Sequence, residues 1–251
     1  MVKETEDLGT APGLDRSEQT HDQKRDDSEQ NPFEIYRTIV IANGKYERTM
    51  RLLDILFSFI NIVLLLPIGL LIALAIRIDS PGPILIRQKR IGRNRRAELN
   101  ANGKAVERRK KDTFGEPFYI LKFRTMYSTA SLYEKTPGSD EDVRVTKVGR
   151  FLRQLGLDEL PQLLNALKGD MSIVGPRPEM PFLVEKYSRL EACRLLVKPG
   201  ITGYWQINAP RDRHIHEVLH YDLYYIKNRG LRLDFLIMLK TVAYMFSMKN
   251  K

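Results

Sequence analysis

The chain has 251 residues, of which 43% are hydrophobic, and it carries a formal net charge of +10 at pH 7. This length accommodates one compact domain with a tail and excludes two large domains. The positive charge favours partners that carry phosphate, such as a nucleotide, an anionic lipid or a nucleic acid, and the single cysteine excludes an internal disulfide bond.

The N-terminal segment is predicted to be a disordered polar tail that ends at residue 44. Residues 1–32 are polar, charged and nearly free of aromatic side chains. A segment of this composition buries too little apolar surface to offset the entropy lost on ordering. It also lacks the apolar core of a secretory signal peptide.

The longest apolar segment, residues 52–76, is predicted to enter a membrane. Its charge-free part, residues 55–76, would extend roughly 33 Å as a helix, which is enough to cross a bilayer. Pro67 lies near the middle, where it removes a backbone hydrogen bond, and basic residues flank both ends and resist translocation. We therefore predict a re-entrant helix at residues 45–78, broken at Pro67, with both ends on the cytoplasmic side. A single span that tolerates the proline is the alternative.

The remainder of the chain, residues 79–251, is predicted to form a cytoplasmic α+β domain with short strands and amphipathic interfacial helices. Apolar residues at near-helical spacing favour one continuous helix over residues 147–168. The final helix, residues 232–248, is short for a span and apolar for a soluble surface, so we predict that it lies on the membrane. The other predicted elements are strands within residues 84–92, 117–126, 171–179 and 197–211, and a helix at residues 213–227.

Residues 93–112 form a strongly basic stretch without aromatic residues. RNA-binding segments usually add aromatic platforms on which bases stack, so a surface loop or a contact with anionic lipid is favoured here. A membrane-tethered basic protein that binds RNA or anionic lipid through this stretch is the alternative to an enzyme.

The sequence His-Glu-Val-Leu-His at residues 216–220 matches the zinc-peptidase signature. On a helix, His216 and His220 share one face, as two zinc ligands do, and Glu217 would serve as a base. A catalytic zinc needs a third protein ligand, however. No glutamate follows Glu217 in the chain, and Asp222 follows His220 too closely. A helix that packs its aromatic residues against the domain is therefore favoured over a peptidase.

Two adjacent carboxylates, Asp158 and Glu159, lie in the leucine-rich sequence LGLDELPQLLN. Adjacent residues diverge around a helix but stay close enough to share one metal ion or one phosphate. The alternative is an ordinary helix start, where acidic residues favour the helix dipole. Basic residues elsewhere favour the functional interpretation, because carboxylates, a metal ion and arginines together suit a diphosphate. These basic residues are Lys122, Arg124, Arg150, Arg153, Arg177 and Arg211.

Six motifs in a fixed order resemble those of bacterial sugar transferases, the monotopic phosphoglycosyl transferases. They are DSPGPILIRQKRIG, YILKFRTM, VGRFLRQLGLDELPQLLNALKGDMSIVGPRPE, VKPGITGYWQINAPR, YDLYYIKN and LDFLIMLKT. The resemblance covers about residues 48–248 and is highly specific, because separate motifs occur in the right order. It implies a re-entrant membrane helix, which the position of Pro67 and the basic flanks predict independently. The chain looks like a minimal form without the additional N-terminal spans of longer members.

The resemblance implies transfer of a sugar 1-phosphate from a UDP-sugar to polyprenyl (undecaprenyl) phosphate, with release of UMP. Asp158 matches the nucleophile, which forms a covalent phospho-sugar intermediate. Glu159 matches its partner, and the two carboxylates are expected to bind Mg²⁺. The basic and acidic positions expected around the substrate fall on Lys122, Arg153, Arg177, Arg211 and Asp234.

The resemblance also implies the setting, which is the cytoplasmic face of a bacterial inner membrane in the first membrane step of exopolysaccharide or glycoconjugate synthesis. Membrane lipid is then a partner and nucleic acid is not. Glucose and galactose are the preferred sugars, with N-acetylated sugars open, and the sequence leaves open whether the chain forms a homo-oligomer. Direct transfer in a ternary complex, with the two carboxylates as metal ligand or base, is the alternative mechanism.

Overall fold

The structure is a computed structural model that describes residues 32–94, 115–130, 142–209 and 219–247. Several predicted features lie outside these ranges, namely Arg211, His216, Glu217 and residues 95–112 of the basic stretch. The described residues form helices and short strands, which confirms the mixed composition of the domain.

Helix α1 (Pro32–Ala42) begins the described part of the chain. Its residues Phe33, Tyr36 and Val40 recur at helical spacing and pack in the main hydrophobic core, where Val40 is buried. This apolar face explains why the segment folds. Helix α1 thus occupies part of the segment predicted to be a disordered tail, and that part of the prediction is wrong.

Helix α2 (Gly44–Asp79) contains 36 residues and includes the apolar segment. Its length and composition are sufficient to cross a membrane, and only 11% of its most apolar 18-residue window is buried, unlike the core helix of a soluble protein. The helix continues through Pro67, so the prediction that the helix is interrupted there is wrong. A proline removes one helical hydrogen bond, and here the turns on both sides, at Leu65 and Ile72, pack against the domain and stay helical.

One narrow face of α2 packs along the domain over the length of the helix. Its buried residues are Met50, Asp54, Ser58, Ile72 and Ile76. Towards the N-terminal end, the Asp54 carboxylate accepts hydrogen bonds of 2.9 Å from the Ser172 hydroxyl and the Ile173 amide. At the C-terminal end, the buried guanidinium of Arg124 donates to the carbonyl oxygen of Ser80 at 2.6 Å. Both ends of the helix are thus held by the same domain.

Two pairs of short strands form the sheets. Strands β1 (Leu85–Ile91) and β2 (Pro117–Phe123) pair antiparallel, with Leu85 opposite Phe123. Strands β3 (Ser172–Val174) and β4 (Gly200–Thr202) pair in parallel. All four lie within the segments predicted to contain strands, which confirms those predictions.

Two short helices occupy residues 147–168, where the sequence predicts one. They are α3 (Lys147–Leu155) and α4 (Gln162–Lys168), and a 3₁₀ turn (Leu157–Glu159) lies between them. The prediction of a continuous helix is therefore wrong.

Gly156 and Pro161 bound this turn and cause the division. Gly156 ends α3 in the left-handed conformation, with a φ of 67°, which glycine adopts at little cost. Pro161 has no backbone N–H, so it suits the start of a new helix better than the interior of a longer one. Asp158 and Glu159 consequently lie in an elbow between two helices.

The remaining described helices complete the domain. They are α5 (Pro181–Val184), α6 (Arg189–Ala192), a 3₁₀ turn (Cys193–Leu196), α7 (Tyr204–Asn208), α8 (Leu219–Asn228) and α9 (Leu231–Ser247). Helix α9 confirms the helix predicted near the end of the chain. It exposes an apolar stripe of Leu231, Phe235, Leu239 and Val242 and buries Ile237.

Two hydrophobic clusters hold the elbow in place. The main core includes Leu163 of α4, Val174 of β3, Leu196, Ile226 of α8 and Ile237 of α9. The second cluster consists of Ile72 and Ile76 of α2, Phe123 of β2 and Leu152 of α3. Leu157 and Leu160 pack against this second cluster. Because these two leucines flank the carboxylates, their packing sets where Asp158 and Glu159 lie.

Candidate active site

The carboxylate elbow faces Lys122 of strand β2. Lys122 Nζ lies 2.6 Å from Glu159 Oε1, and the two side chains keep 15% and 24% of their surface exposed. Alternate residues of a strand share a face, and Ile120 and Lys122 line one cleft together with Glu159 and Arg90. The structure thus brings Lys122 to the predicted carboxylates and leaves the pair open to a ligand.

The two carboxyl groups have opposite pKa shifts. Burial disfavours the charged form of Glu159, but the positive charges of Lys122 and Arg177 outweigh this effect and lower the pKa of Glu159 to about 2. Burial raises the pKa of Asp158; the positive charge of Lys122 opposes this shift, and the adjacent Glu159 carboxylate adds to it. Glu159 is therefore a firmly charged partner of Lys122, whereas Asp158 is the more basic carboxylate.

Asn165 of α4 joins the elbow to strand β2. Its side-chain oxygen accepts a hydrogen bond from the Leu121 amide at 2.9 Å, and its Nδ2 donates to the Tyr119 carbonyl at 2.8 Å. Asn165 is only 3% exposed. Its side-chain amide makes the two backbone hydrogen bonds that a further strand would make at this edge of β2. Lys122 follows directly in the strand, and Asn165 therefore sets its position relative to Glu159.

Replacement of Asn165 by leucine is expected to lower the free energy of unfolding by about 2–6 kcal/mol. The change leaves one amide and one carbonyl of β2 without partners, and each unsatisfied buried group costs about 1–3 kcal/mol. Thermal unfolding in detergent would measure the loss. Asn228→Leu is the matched control, because Asn228 is exposed and makes one hydrogen bond to the Tyr224 carbonyl. Equal losses in the two variants would contradict the role assigned to Asn165.

Arg177 reaches the same cleft from the loop after β3. Backbone hydrogen bonds of 2.9 Å hold this loop against β4, from the Gly200 amide to the Pro176 carbonyl and from the Gly175 amide to the Thr202 carbonyl. Arg177 lines the cleft with Lys122 and Glu159, and its charge contributes to the low pKa of Glu159. The structure thus places this predicted residue beside the elbow.

A buried charged network supports the Arg177 loop from behind. The Arg194 guanidinium contacts Asp222 at 2.7 Å and Glu179 at 3.7 Å, with Arg194 only 4% exposed. It also donates to the Arg177 carbonyl at 3.5 Å. The network was not predicted from the sequence, where its only local signal is the charged Arg194 within the apolar segment CRLLV.

Arg153, Asp234 and Arg211 complete the set of predicted residues. Arg153 of α3 opposes the raised pKa of Asp158, and its buried Nη1 has no hydrogen-bond partner in the part of the chain that the structure describes. Asp234 is 1% exposed and accepts hydrogen bonds from the hydroxyls of Tyr46 and Tyr225, at 2.5 and 3.0 Å. The structure therefore gives Asp234 two tyrosine partners that hold α9 to the domain, while Arg211 lies outside the described residues.

The carboxylate pair suits a magnesium ion that is shared with phosphate. Within residues 32–94, 115–130, 142–209 and 219–247, no three His, Cys, Asp or Glu side chains converge in a way that would hold a metal ion. Mg²⁺ is usually bound by one or two carboxylates, water and substrate phosphates rather than by a cage of protein ligands. Asp158 and Glu159 therefore fit Mg²⁺ together with a diphosphate. His220, the described histidine of the zinc-peptidase motif, is exposed and lies against Tyr221, with 4.1 Å between ring centroids.

The chain is similar to known bacterial proteins over most of its length. A model of the family described as bacterial sugar transferase matches residues 45–248. A UDP-N-acetylgalactosamine-undecaprenyl-phosphate N-acetylgalactosaminephosphotransferase from Aeromonas hydrophila is 38% identical over 204 residues, which cover 78% of this chain and 43% of that protein. A UDP-glucose:undecaprenyl-phosphate glucose-1-phosphate transferase from Klebsiella pneumoniae is 38% identical over 200 residues, which cover 76% of this chain and 39% of that protein.

A shorter relative aligns along most of its own length. The exopolysaccharide production protein ExoY from Sinorhizobium fredii (strain NBRC 101917 / NGR234) is 34% identical over 207 residues, which cover 76% of this chain and 83% of that protein. The chain thus spans less than half the length of the first two relatives and most of the third.

Proposed function

The chain belongs to the bacterial sugar transferase family, and on this basis we propose that it transfers a sugar 1-phosphate from a UDP-sugar to undecaprenyl phosphate and releases UMP. The names of two relatives state this type of reaction, for N-acetylgalactosamine and for glucose. The observation that carries the proposal is the cleft in which Lys122 and Arg177 meet Glu159, with Asp158 adjacent to it in the same 3₁₀ turn. Such a cleft suits a diphosphate, because phosphoryl transfer depends mainly on positioning and on neutralisation of charge.

In this proposal Asp158 is the nucleophile. Its carboxylate oxygen attacks the β-phosphorus of the UDP-sugar; a carboxylate–phosphorus bond forms, the bond to the bridging oxygen breaks, and UMP leaves. An oxygen of undecaprenyl phosphate then attacks the same phosphorus, which restores the Asp158 carboxylate and yields the undecaprenyl-diphosphate-sugar. The raised pKa of Asp158 supports this assignment, because a more basic carboxylate is the better nucleophile.

The other residues of the cleft hold the diphosphate. Lys122 and Arg177 are placed to neutralise phosphate oxygens, and Glu159 orients Lys122 through their ion pair. Arg153 adds a buried N–H with no described partner on the side of Asp158. When bound by the two carboxylates, Mg²⁺ supplies further neutralisation of the charge that develops on the departing UMP.

Release of UMP tests the proposed reaction. The detergent-solubilised full chain would be mixed with undecaprenyl phosphate, Mg²⁺ and, in turn, the UDP-linked forms of glucose, galactose, N-acetylglucosamine and N-acetylgalactosamine. We expect repeated turnover, with UMP in excess of enzyme, for at least one sugar, a hexose such as glucose or galactose first, and only when the lipid is present in substrate amounts. Without the lipid, release should stop at about one UMP per enzyme molecule. No release from any UDP-sugar, with folded protein, would overturn the proposal.

The kinetic pattern separates the covalent mechanism from direct transfer. A covalent intermediate predicts ping-pong kinetics, with parallel lines in double-reciprocal plots for the two substrates. Intersecting lines would favour a ternary complex, in which the carboxylates act as metal ligand or base.

We also propose that α2 enters and leaves the cytoplasmic leaflet of the inner membrane as a re-entrant helix, and that α9 lies on the membrane surface. The contacts at Asp54 and at Arg124 support this arrangement, since a helix that crosses the bilayer would not present both ends to one domain. The exposed apolar side chains on the outer faces of α2 and α9 support contact with lipid. Bending at Pro67 remains our proposal for how the helix turns within the leaflet.

Cysteine labelling tests this topology. The chain contains one cysteine, Cys193, which is fully buried, so Lys45→Cys in the first turn of α2 and Arg87→Cys beyond its C-terminal end each add a single exposed thiol. An impermeant maleimide should label both thiols in inverted membrane vesicles and neither in intact spheroplasts. Labelling of one thiol from each side would show a span.

The first half-reaction is expected to lose rate as pH falls and Asp158 becomes protonated. Burial raises the pKa of Asp158 above its ordinary value of 3.8, so the acid limb of the pH–rate profile should lie above pH 3.8. Glu159→Gln removes a negative charge and should move the limb to lower pH, whereas Lys122→Met removes a positive charge and should move it to higher pH. Single-turnover UMP release without lipid avoids titration of the acceptor phosphate. The same limb in all three proteins would show that Asp158 is not the titrating group.

A further inference from the structure

Helix α7 carries an aromatic residue with an unsatisfied polar group. Trp205 is the single tryptophan of the chain. Its indole Nε1–H is buried and has no hydrogen-bond partner among the residues that the structure describes. Buried side-chain donors are nearly always paired, and an unpaired donor costs about 1–3 kcal/mol. The unpaired indole therefore indicates a donor that is kept for a ligand.

Trp205 lies next to the phosphate-binding part of the cleft. The Arg177 guanidinium is 6.0 Å from the centroid of the Trp205 ring, and the same arginine lines the cleft with Glu159 and Lys122. An aromatic ring and an unpaired N–H thus lie beside Arg177, one of the cations that would bind a diphosphate. This arrangement matches the order of chemical groups in a nucleoside diphosphate, in which the base lies beyond the diphosphate and the ribose.

Glycine contacts hold the tryptophan in this position. A Cβ atom on Gly203 would lie 2.3 Å from the Gly175 carbonyl oxygen, and one on Gly200 would lie 2.1 Å from the Gly175 amide nitrogen. Only glycines permit so close an approach of the Arg177 loop and the segment that leads into α7. Behind Trp205, Tyr204 stacks on Tyr224 of α8 at 4.8 Å between ring centroids, which supports the short helix.

We infer that Trp205 forms the subsite for the pyrimidine base of the nucleotide, with its indole N–H donating to a carbonyl oxygen of the base. A neutral donor beside an aromatic ring suits a neutral planar base, whereas the charged phosphates are matched by Lys122 and Arg177. Uracil offers two carbonyl acceptors at the ring edge. The inference rests on the proposed function and names the part of the site that recognises the UDP group.

Tryptophan fluorescence, excited at a wavelength that the tyrosines do not absorb, tests the subsite directly, because Trp205 is the single tryptophan of the chain. The detergent-solubilised protein would be titrated with UDP and, in parallel, with inorganic diphosphate in the presence of Mg²⁺. We expect UDP to change the emission in a saturable way, and we expect diphosphate to leave it nearly unchanged at concentrations that inhibit transfer. Identical responses to both ligands, or no response to inhibiting UDP, would overturn the inference.

The variant Trp205→Phe provides the second test, because phenylalanine keeps a ring and removes the N–H. Inhibition of sugar-phosphate transfer by UDP should weaken about 3- to 10-fold, as expected for one hydrogen bond, while inhibition by inorganic diphosphate should not change. Tyr119→Phe is the control, since Tyr119 is 56% exposed on the outer face of the hairpin.

The outcomes distinguish this inference from the proposed function. Equal weakening for both inhibitors would place the indole N–H on phosphate and overturn the base subsite. Unchanged inhibition by UDP in a variant that still transfers sugar phosphate would overturn the inference and leave the proposed function intact. If wild-type protein transfers no sugar phosphate from any UDP-sugar, the proposed function itself fails. If Trp205→Phe does not fold, the fluorescence titration of the wild-type chain still decides.

Discussion

Replacement of Asp158 by asparagine is expected to slow UMP release by at least about 10³-fold. Asparagine keeps the shape of the side chain, but its neutral amide is a poor nucleophile and does not form the acyl-phosphate bond to the sugar phosphate proposed here. Asp158 lies half-buried in the 3₁₀ turn, where Leu157 and Leu160 provide the packing, so the variant should fold like the wild type. The rate would be measured with undecaprenyl phosphate and the best UDP-sugar.

A second readout of this variant is the covalent intermediate itself. Wild-type protein incubated with UDP-sugar and without the lipid should gain the mass of one sugar phosphate, and Asp158→Asn should not. Glu34→Gln is the matched control, because Glu34 is an exposed carboxylate that pairs with Arg37 on α1 at 2.9 Å. An adduct on Asp158→Asn, or a rate close to that of Glu34→Gln, would exclude Asp158 as the nucleophile.

The elements that could be predicted are those with a strong local pattern. Strands β1 and β2 lie in segments with residues that favour strands, such as isoleucine, phenylalanine and tyrosine, and turn residues lie next to them. Helix α9 has a long apolar run. The positions of these elements therefore follow from neighbouring residues alone. The elbow was predictable in principle, since Gly156 and Pro161 both mark a boundary. The regular leucine spacing favoured a continuous helix instead. Leucines before and after the turn pack into two different hydrophobic clusters, and the local sequence does not show that the clusters differ.

The parts that could not be predicted depend on partners far apart in the chain. Asn165 bonds to β2 across more than forty positions, and Asp54 bonds to Ile173 across more than one hundred. Neither residue stands out locally, because its role arises only when the elements are brought together. Helix α1 illustrates the same limit, since its apolar face gains stability only from the main core.

Replacement of Lys122 by methionine is expected to lower kcat/KM for UMP release by about 10²- to 10³-fold, the usual loss when one preorganised donor to a developing charge is removed. The ammonium group neutralises phosphate in the proposed mechanism, and it also pairs with Glu159 at 2.6 Å. Lys168→Met is the control, because Lys168 is 74% exposed and pairs only with Asp170 among the described residues. Thermal stability should also fall in Lys122→Met, because the mostly buried Glu159 carboxylate loses its ion-pair partner, so activity is compared at a temperature where both variants are folded. Lys168→Met should unfold like the wild type, since exposed ion pairs contribute at most about 1 kcal/mol.

A double-mutant cycle with Glu159→Gln tells whether Lys122 and Glu159 act as a unit. In Lys122→Met, the Glu159 carboxylate loses the nearest positive charge and repels the incoming diphosphate, so part of the loss comes from the uncompensated carboxylate. Glu159→Gln removes this charge, and the double variant should therefore be less impaired than the product of the two single losses. Strictly multiplicative losses would show that Lys122 and Glu159 contact the substrate independently. In that case the ion pair would be a feature of the free protein that substrate binding replaces.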